Sequence, residues 1–281
     1  MRVDYKKCIW IFLGLFSQGG AAQNSWLPEE LKQDHPIRLL ECHYREAALE
    51  RCQEINDTSA WTVQTEKTTT DSTTAYTFRF TARKAMADAG VAVAFDRYGW
   101  TSDNYVLLPA SVYNGNRQRI VFRDYATGFD KTDFGHKDLA LTSNPIPQLS
   151  PEFGAASRLE VNVSNVSTPA MLFLERARKS ATILLTDQGI SWKDRILDHA
   201  LIVEETPDRS VASFVIGAPG VRERKPEFIG FSKSPDRGIA VQPGDQIVIR
   251  VTEITFPCNR VPELLAQFMK FRKFHTRNEA P

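Results

Sequence analysis

Apolar residues in this chain come mostly in short blocks separated by turn residues, with little helical spacing. Tyr76, Phe78 and Phe80 alternate with Thr77, Arg79 and Thr81, the period-two signature of a half-buried strand. Residues 91–95 (VAVAF) form a continuous apolar block. Similar blocks recur at 105–108, 119–122, 170–174, 181–185, 199–203 and 211–216. Leu159, Val161 and Val163 lie on one side of a further segment, and Ile247, Ile249 and Val251 on one side of another. Between the blocks stand Asn114-Gly115, Asp187-Gln188-Gly189, Thr206-Pro207-Asp208, Ala218-Pro219-Gly220 and Gln242-Pro243-Gly244-Asp245, all turn chemistry. Many short strands with turn signals between them predict a mainly β chain, a large antiparallel β-sandwich of supersandwich size. A parallel α/β sheet is excluded, because no helical segments lie between the strands to cover its faces.

Two stretches depart from this texture. Residues 44–54 (YREAALERCQE) are good helix formers and predict a short helix. Near the end, Val261, Leu264, Leu265, Phe268 and Phe271 fall at helical spacing, with Asn259 as a candidate N-cap and Pro262 in the first turn. This C-terminal amphipathic linker helix needs a surface to cover. It either folds back on a sheet or begins a helical domain that the sequence lacks, in which case Leu264, Leu265, Phe268 and Phe271 form an exposed stripe that meets that partner.

The first residues read as an export signal. Arg2, Lys6 and Lys7 precede the apolar run 8–16 (CIWIFLGLF), and Gly19, Gly20, Ala21 and Ala22 supply small residues for cleavage. The run is too short to span a bilayer, which takes about 20 residues, and no later stretch is long enough. The expected organisation is therefore a signal peptide at 1–22, an N-terminal extension at 23–57, the sandwich at 58–257 and the linker helix at 258–281. The expected location is secreted or periplasmic. Cleavage leaves Cys42, Cys52 and Cys258, an odd number. At most one internal pair forms, and Cys42 with Cys52 is the closest in sequence; three thiols without a bridge is the alternative.

Composition narrows the function classes. Apolar residues make up 42% and charged residues 25%, an ordinary globular balance. A formal net charge of +1 argues against a nucleic-acid binder, which needs a basic face to replace phosphate counterions. No GxSxG elbow, P-loop or HExxH occurs. Cys42, His43 and Cys52 lack zinc spacing. The acidic stretch 124–138 does not follow the calcium-loop pattern and reads as a solvated loop. No metal or cofactor is expected.

The richest candidate chemistry lies at Trp100, Tyr105, Tyr113, Asn114, Asn116 and Arg117. Flat rings stack on the C–H faces of sugars, while amides and an Arg fork bind hydroxyls. The same residues also read as core aromatics and a hairpin turn. Glu204 and Glu205 are adjacent, so on a strand they point to opposite faces and cannot form the carboxylate pair of a glycosidase. His199, Tyr113, Arg117 and Glu204 are the set to consider for a complete enzyme. Asp198 with His199 reads as a structural contact.

Segments 105–117 (YVLLPASVYNGNR), 183–189 (ILLTDQG) and 216–222 (IGAPGVR), with the signal and the terminal helix, resemble the N-terminal β-sandwich region of exported bacterial six-hairpin glycosidases, whose second half is an (α/α)6 barrel. The resemblance implies a non-catalytic sandwich whose loops complete a sugar cleft, catalysis residing on a barrel downstream. Residues 113–117 are the one loop it suggests for such a cleft, and it transfers no catalytic residue. The alternative is a stand-alone module that binds carbohydrate or protein.

Overall fold

The computed structural model describes residues 25–28, 37–109, 111–112, 157–222, 224–226 and 231–275. In chain order the strands are β1 (Ile37–Arg45), β2 (Ala48–Glu54), β3 (Trp61–Thr69), β4 (Thr73–Ala82), β5 (Met86–Tyr98), β6 (Tyr105–Leu108), β7 (Ser111–Val112), β8 (Ser157–Asn162) and β9 (Ala170–Glu175). They continue with β10 (Ser180–Thr186), β11 (Ile190–Trp192), β12 (Arg195–Leu197), β13 (Ala200–Glu205), β14 (Val211–Ala218), β15 (Arg224–Pro226), β16 (Phe231–Lys233), β17 (Ile239–Val241) and β18 (Gln246–Pro257). One helix, α1 (Val261–His275), follows. The chain is mainly β with antiparallel sheets, as the hydrophobic pattern predicts.

Two large sheets face each other. The first runs β2-β1-β5-β14-β13-β8, with β17 paired to the start of β5. The second runs β3-β4-β18-β10-β9-β6-β7. Alternate residues of a strand point to opposite faces, and the hydrophobic clusters follow that alternation. From β5, Val91, Val93 and Phe95 enter the central core. Ala92 and Ala94, between them, join a second cluster on the outer face of the first sheet. From β9, Met171 and Phe173 are central, whereas Ala170, Leu172 and Leu174 enter a third cluster on the outer face of the second sheet.

The continuous apolar blocks have this cause. Strands covered on both faces carry apolar residues at successive positions. The strand Val211–Ala218 is buried at every position. The strand Thr73–Ala82, which faces water on one side, alternates instead.

Helix α1 folds back on the second sheet. Leu264 and Phe268 are buried in the third cluster beside Leu172, Ile183 and Ile254, and Phe271 packs against it. Leu264 and Phe268 are therefore closed to an outside partner. Leu265 remains 42% exposed, joined by Met269 one turn further on.

Residues 44–54 are not helical. They form the end of β1, a turn at Glu46 with φ 56°, and β2, which pairs with β1 up to Leu40↔Glu54. β2 lies at the edge of the first sheet, and its Glu and Arg side chains point largely to water. Charge on an edge strand discourages pairing with other chains, and that same charge is what gives the segment its helical composition. Both strands come from the stretch read as an extension, and both belong to the sandwich's first sheet.

Candidate functional site

The aromatic candidates do not form a platform. Trp100 is buried at 2% exposure, edge-on to Phe173 and Phe214 with centroids 6.0 and 5.5 Å away. Its indole N–H donates to Glu205 Oε1 at 2.8 Å. A ring enclosed in the core offers no face to a sugar. Tyr105 is half-buried against the cluster under α1, with the Arg176 guanidinium 5.9 Å from its ring centroid. Tyr113, Asn114, Asn116, Arg117 and the acidic stretch 124–138 lie outside the described residues.

His199 is fully buried. Burial pushes its pKa down to about 4, partly opposed by Asp198 and then Asp187. Its Nε2 lies 3.4 Å from Thr186 Oγ1, while Asp198 is taken up by Ser164, whose hydroxyl donates at 2.6 Å. A neutral imidazole in this setting is a packing group. Glu204 and Glu205 point to opposite faces, as adjacent strand residues must: Glu205 turns inward to Trp100, Glu204 outward to Ser25 and Trp26.

The concentrated polar chemistry lies on the outer face of the first sheet. Arg38 from β1, Asp96 from β5, Ser213 from β14 and Glu204 from β13 are all buried there. Ser213 stands directly opposite Asp96 on one side and Glu204 on the other, so strand register alone assembles the row. Arg38 forks onto Asp96, with Nε to Oδ2 at 2.6 Å and Nη2 to Oδ1 at 3.0 Å. Ser213 donates its hydroxyl to Asp96 Oδ1 at 2.6 Å. Bidentate pairing fixes the guanidinium plane and is among the stronger polar contacts in a protein. Burial pulls the Arg38 pKa down, but the hydrogen bond and charge of Asp96 more than offset it, so Arg38 is held firmly protonated.

Two of these groups also grip residues distant in sequence. The Trp26 backbone N–H donates to Glu204 Oε2 at 2.6 Å, and the Ser25 hydroxyl donates to Oε1 at 3.1 Å. Arg38 Nη2 donates to the Trp26 carbonyl at 2.6 Å. A short segment thus lies across the face, held by a carboxylate at one point and a guanidinium at the next. Beneath it lies the second apolar cluster, where Ala92, Ala94 and Ala200 sit with Leu40, Ile202 and Val215, and Gly217 is close to the indole. A Cβ at Gly217 would meet the ring at 3.9 Å, an ordinary contact. Gly90 is more constrained, since a Cβ there would come within 2.7 Å of the Tyr44 ring. Burial pushes the Glu204 pKa up, opposed by Arg158, Trp26, Ser25 and Arg38 in turn.

Sequence reasoning did not single out Arg38 or Asp96. The signal was a charge inside an apolar block: Arg38 within IRLLECHYR, and Asp96 closing VAVAF on the same side as Ala92 and Ala94. Among the described residues, no three His, Cys, Asp or Glu side chains gather as a metal site. Among them, too, no helix is long and apolar enough to cross a membrane.

The fold and this face define a two-sheet antiparallel sandwich with a self-covered polar face. No protein-family model matches the chain, and no curated protein matches it. Solved structures with a similar arrangement include a putative aldose 1-epimerase from Escherichia coli K12, at 10% identity and TM-score 0.38, over 79% of this chain and 65% of that one. A second is the Slr1438 protein of Synechocystis sp. PCC 6803, at 10% identity and TM-score 0.35, over 79% and 62%. A third is the α-N-acetylgalactosaminidase NagBb of Bifidobacterium bifidum in complex with GalNAc, at 9% identity and TM-score 0.36, over 86% and 34%. The chain thus spans less than two thirds of the length of each.

Proposed function

We propose that this chain is an exported carbohydrate-recognising β-sandwich, without catalytic activity of its own, whose sugar site is the outer face of the first sheet. One observation carries the reading. Glu204 is buried yet directs both carboxylate oxygens at donors of residues 25 and 26, one a hydroxyl, while Arg38 beside it donates to a carbonyl. A carboxylate that accepts from hydroxyls, next to a guanidinium that donates to an oxygen, is the hydrogen-bonding complement of a polyhydroxylated ring. The apolar cluster that surrounds Trp26 gives such a ring an apolar surface. In this reading residues 25–28 occupy the site in the resting chain, and a sugar displaces them.

Export is supported by the leader-like composition of residues 1–22. Cell fractionation and N-terminal sequencing test it, with Gln23 the expected first residue. A partner domain docking beside α1 fits Leu265 and Met269, since Leu264 and Phe268 already lie under the helix. This is the reading in which the sandwich completes a larger carbohydrate-active protein.

The decisive experiment is a glycan screen of the full chain beside Ser25→Ala and Glu204→Gln. Ser25→Ala removes one tie of the covering segment without emptying the core and should strengthen retention. Glu204→Gln should abolish it. If neither the parent chain nor Ser25→Ala retains any glycan, the proposal is wrong.

A further inference from the structure

The first sheet brings two cysteines together at its edge. Cys42 of β1 and Cys52 of β2 are directly opposed in the antiparallel register, between the pairs Glu41↔Gln53 and His43↔Arg51. Their sulfurs lie 3.3 Å apart as thiols, on the same side of the two strands. A bonded pair sits at about 2.05 Å, a gap that small side-chain rotations close when the Cα atoms already face each other. Cys258 is no competitor. It is buried in the third cluster, under α1, on the outer face of the other sheet.

We propose that Cys42 and Cys52 are an oxidative modification site, closing to a cross-strand disulfide that ties the edge strand β2 to β1. The inference rests on export only for the oxidant, a disulfide-bearing oxidoreductase or a small-molecule disulfide of an oxidising compartment. Cys52, the half-buried member, is the sulfur the oxidant reaches first. Its thiolate attacks the oxidant's disulfide, forming a mixed disulfide and releasing one oxidant thiol. Cys42 then loses its proton and attacks the Cys52 sulfur, releasing the second oxidant thiol. Two electrons leave the pair, the oxidant's disulfide becomes two thiols, and the two protons end on them. Burial pushes the Cys42 thiol up, so this second step is the slow one. The bond would fasten an edge strand, since β2 pairs with β1 alone in its sheet.

The test is peptide mapping of the full chain after excess oxidised glutathione, with acid quenching and alkylation of free thiols. The expected result is one linked peptide joining Cys42 to Cys52, a mass loss of about two units, and Cys258 alkylated once the chain is unfolded. Reduction should then lower Tm by on the order of 5–10 °C, and the Cys42→Ser, Cys52→Ser double variant should show no response to reductant. Recovery of both cysteines as alkylated thiols, or linkage of either to any other cysteine, overturns the proposal. Fractionation reports export separately, so a cytosolic protein that still forms the bond in vitro removes the physiological oxidant and leaves the site standing.

Discussion

The outer faces of the two sheets are both covered by residues near an end of the described chain, and the two covers are held in different ways. On the second sheet, α1 lays Leu264 and Phe268 on Leu172, Ile183 and Ile254, an apolar contact. On the first, residues 25–28 are held through backbone and hydroxyl groups by Glu204 and Arg38, although the Trp26 indole is apolar. An apolar cover is stabilised in proportion to the surface it removes from water, and nothing in solution replaces it easily. A polar cover held by single hydrogen bonds is replaceable by a ligand that offers the same donors and acceptor, because the ligand recovers the roughly 1.5–3 kcal/mol net that each bond to a charged group is worth. The Trp26 indole, 1% exposed within the second cluster, anchors the segment side by apolar burial as well, but that side differs from the helix side in its replaceable polar ties. Trp26 adds a detail in the same direction: its Nε1 is buried without a hydrogen-bond partner, so the segment is not an optimal occupant of the face.

The largest effect should come from breaking the polar face beneath its cover. Asp96→Ala leaves the Arg38 guanidinium buried without its fork, and removing one member of a buried pair costs about 3–5 kcal/mol. Denaturant unfolding should show that loss. A change below about 1 kcal/mol would mean that water already reaches Arg38 and that the face is open. On the opposite side, Leu264→Ala should cost about 3 kcal/mol, the transfer and cavity penalty of a fully buried leucine. It should leave any glycan retention unchanged. Loss of retention in this variant would erase the distinction between the two covers.

Most of the fold was legible in the sequence, while the candidate site was not. The apolar blocks and turn residues mark the strands because burial on both faces writes itself into consecutive positions. The hairpin at 44–54 was hidden because an edge strand carries the charged residues that also favour helix. Trp100 looked like a platform because nothing near it in sequence reveals Phe173, Glu205 and Phe214, which close around it across more than 70 residues. The Arg38, Asp96 and Glu204 row depends on the register of β1, β5, β14 and β13, and register across such separations is not written in any local pattern. Export and the loop at 113–117 remain readings of the sequence.

Acid separates two buried groups with opposite signs. The folded-state pKa of His199 is about 4 against an ordinary 6.5, so the unfolded chain binds its proton first. Its contribution to stability is full above about pH 6.5 and is lost as pH falls towards 4, on the order of 3 kcal/mol in all. Glu204 is raised, so the folded chain holds its proton more tightly, and this group favours the folded state as pH falls through that raised value. His199→Gln should flatten the acid loss of Tm between pH 6.5 and 4, whereas Glu204→Gln should steepen it. An identical pH profile for both variants would show that neither group is as enclosed as its contacts indicate.

The smallest expected effect sharpens the helix side of the comparison. Leu264 and Leu265 are adjacent on α1, yet one is buried and the other 42% exposed, because successive helical residues are turned about 100° apart and only one can face the sheet. Leu265→Ser with Met269→Ser should cost clearly less than Leu264→Ala, on the order of 1 kcal/mol per site, since each side chain is only about half covered and serine is a slightly weaker helix former. Thermal unfolding checks this directly. A loss comparable to that of Leu264→Ala would place a cover over the outward side of the helix as well, supplied by a second copy or by another part of the chain, and unfolding midpoints that rise with protein concentration would identify the second copy. Indifference would leave Leu265 and Met269 as apolar surface on α1 still free to meet a partner domain.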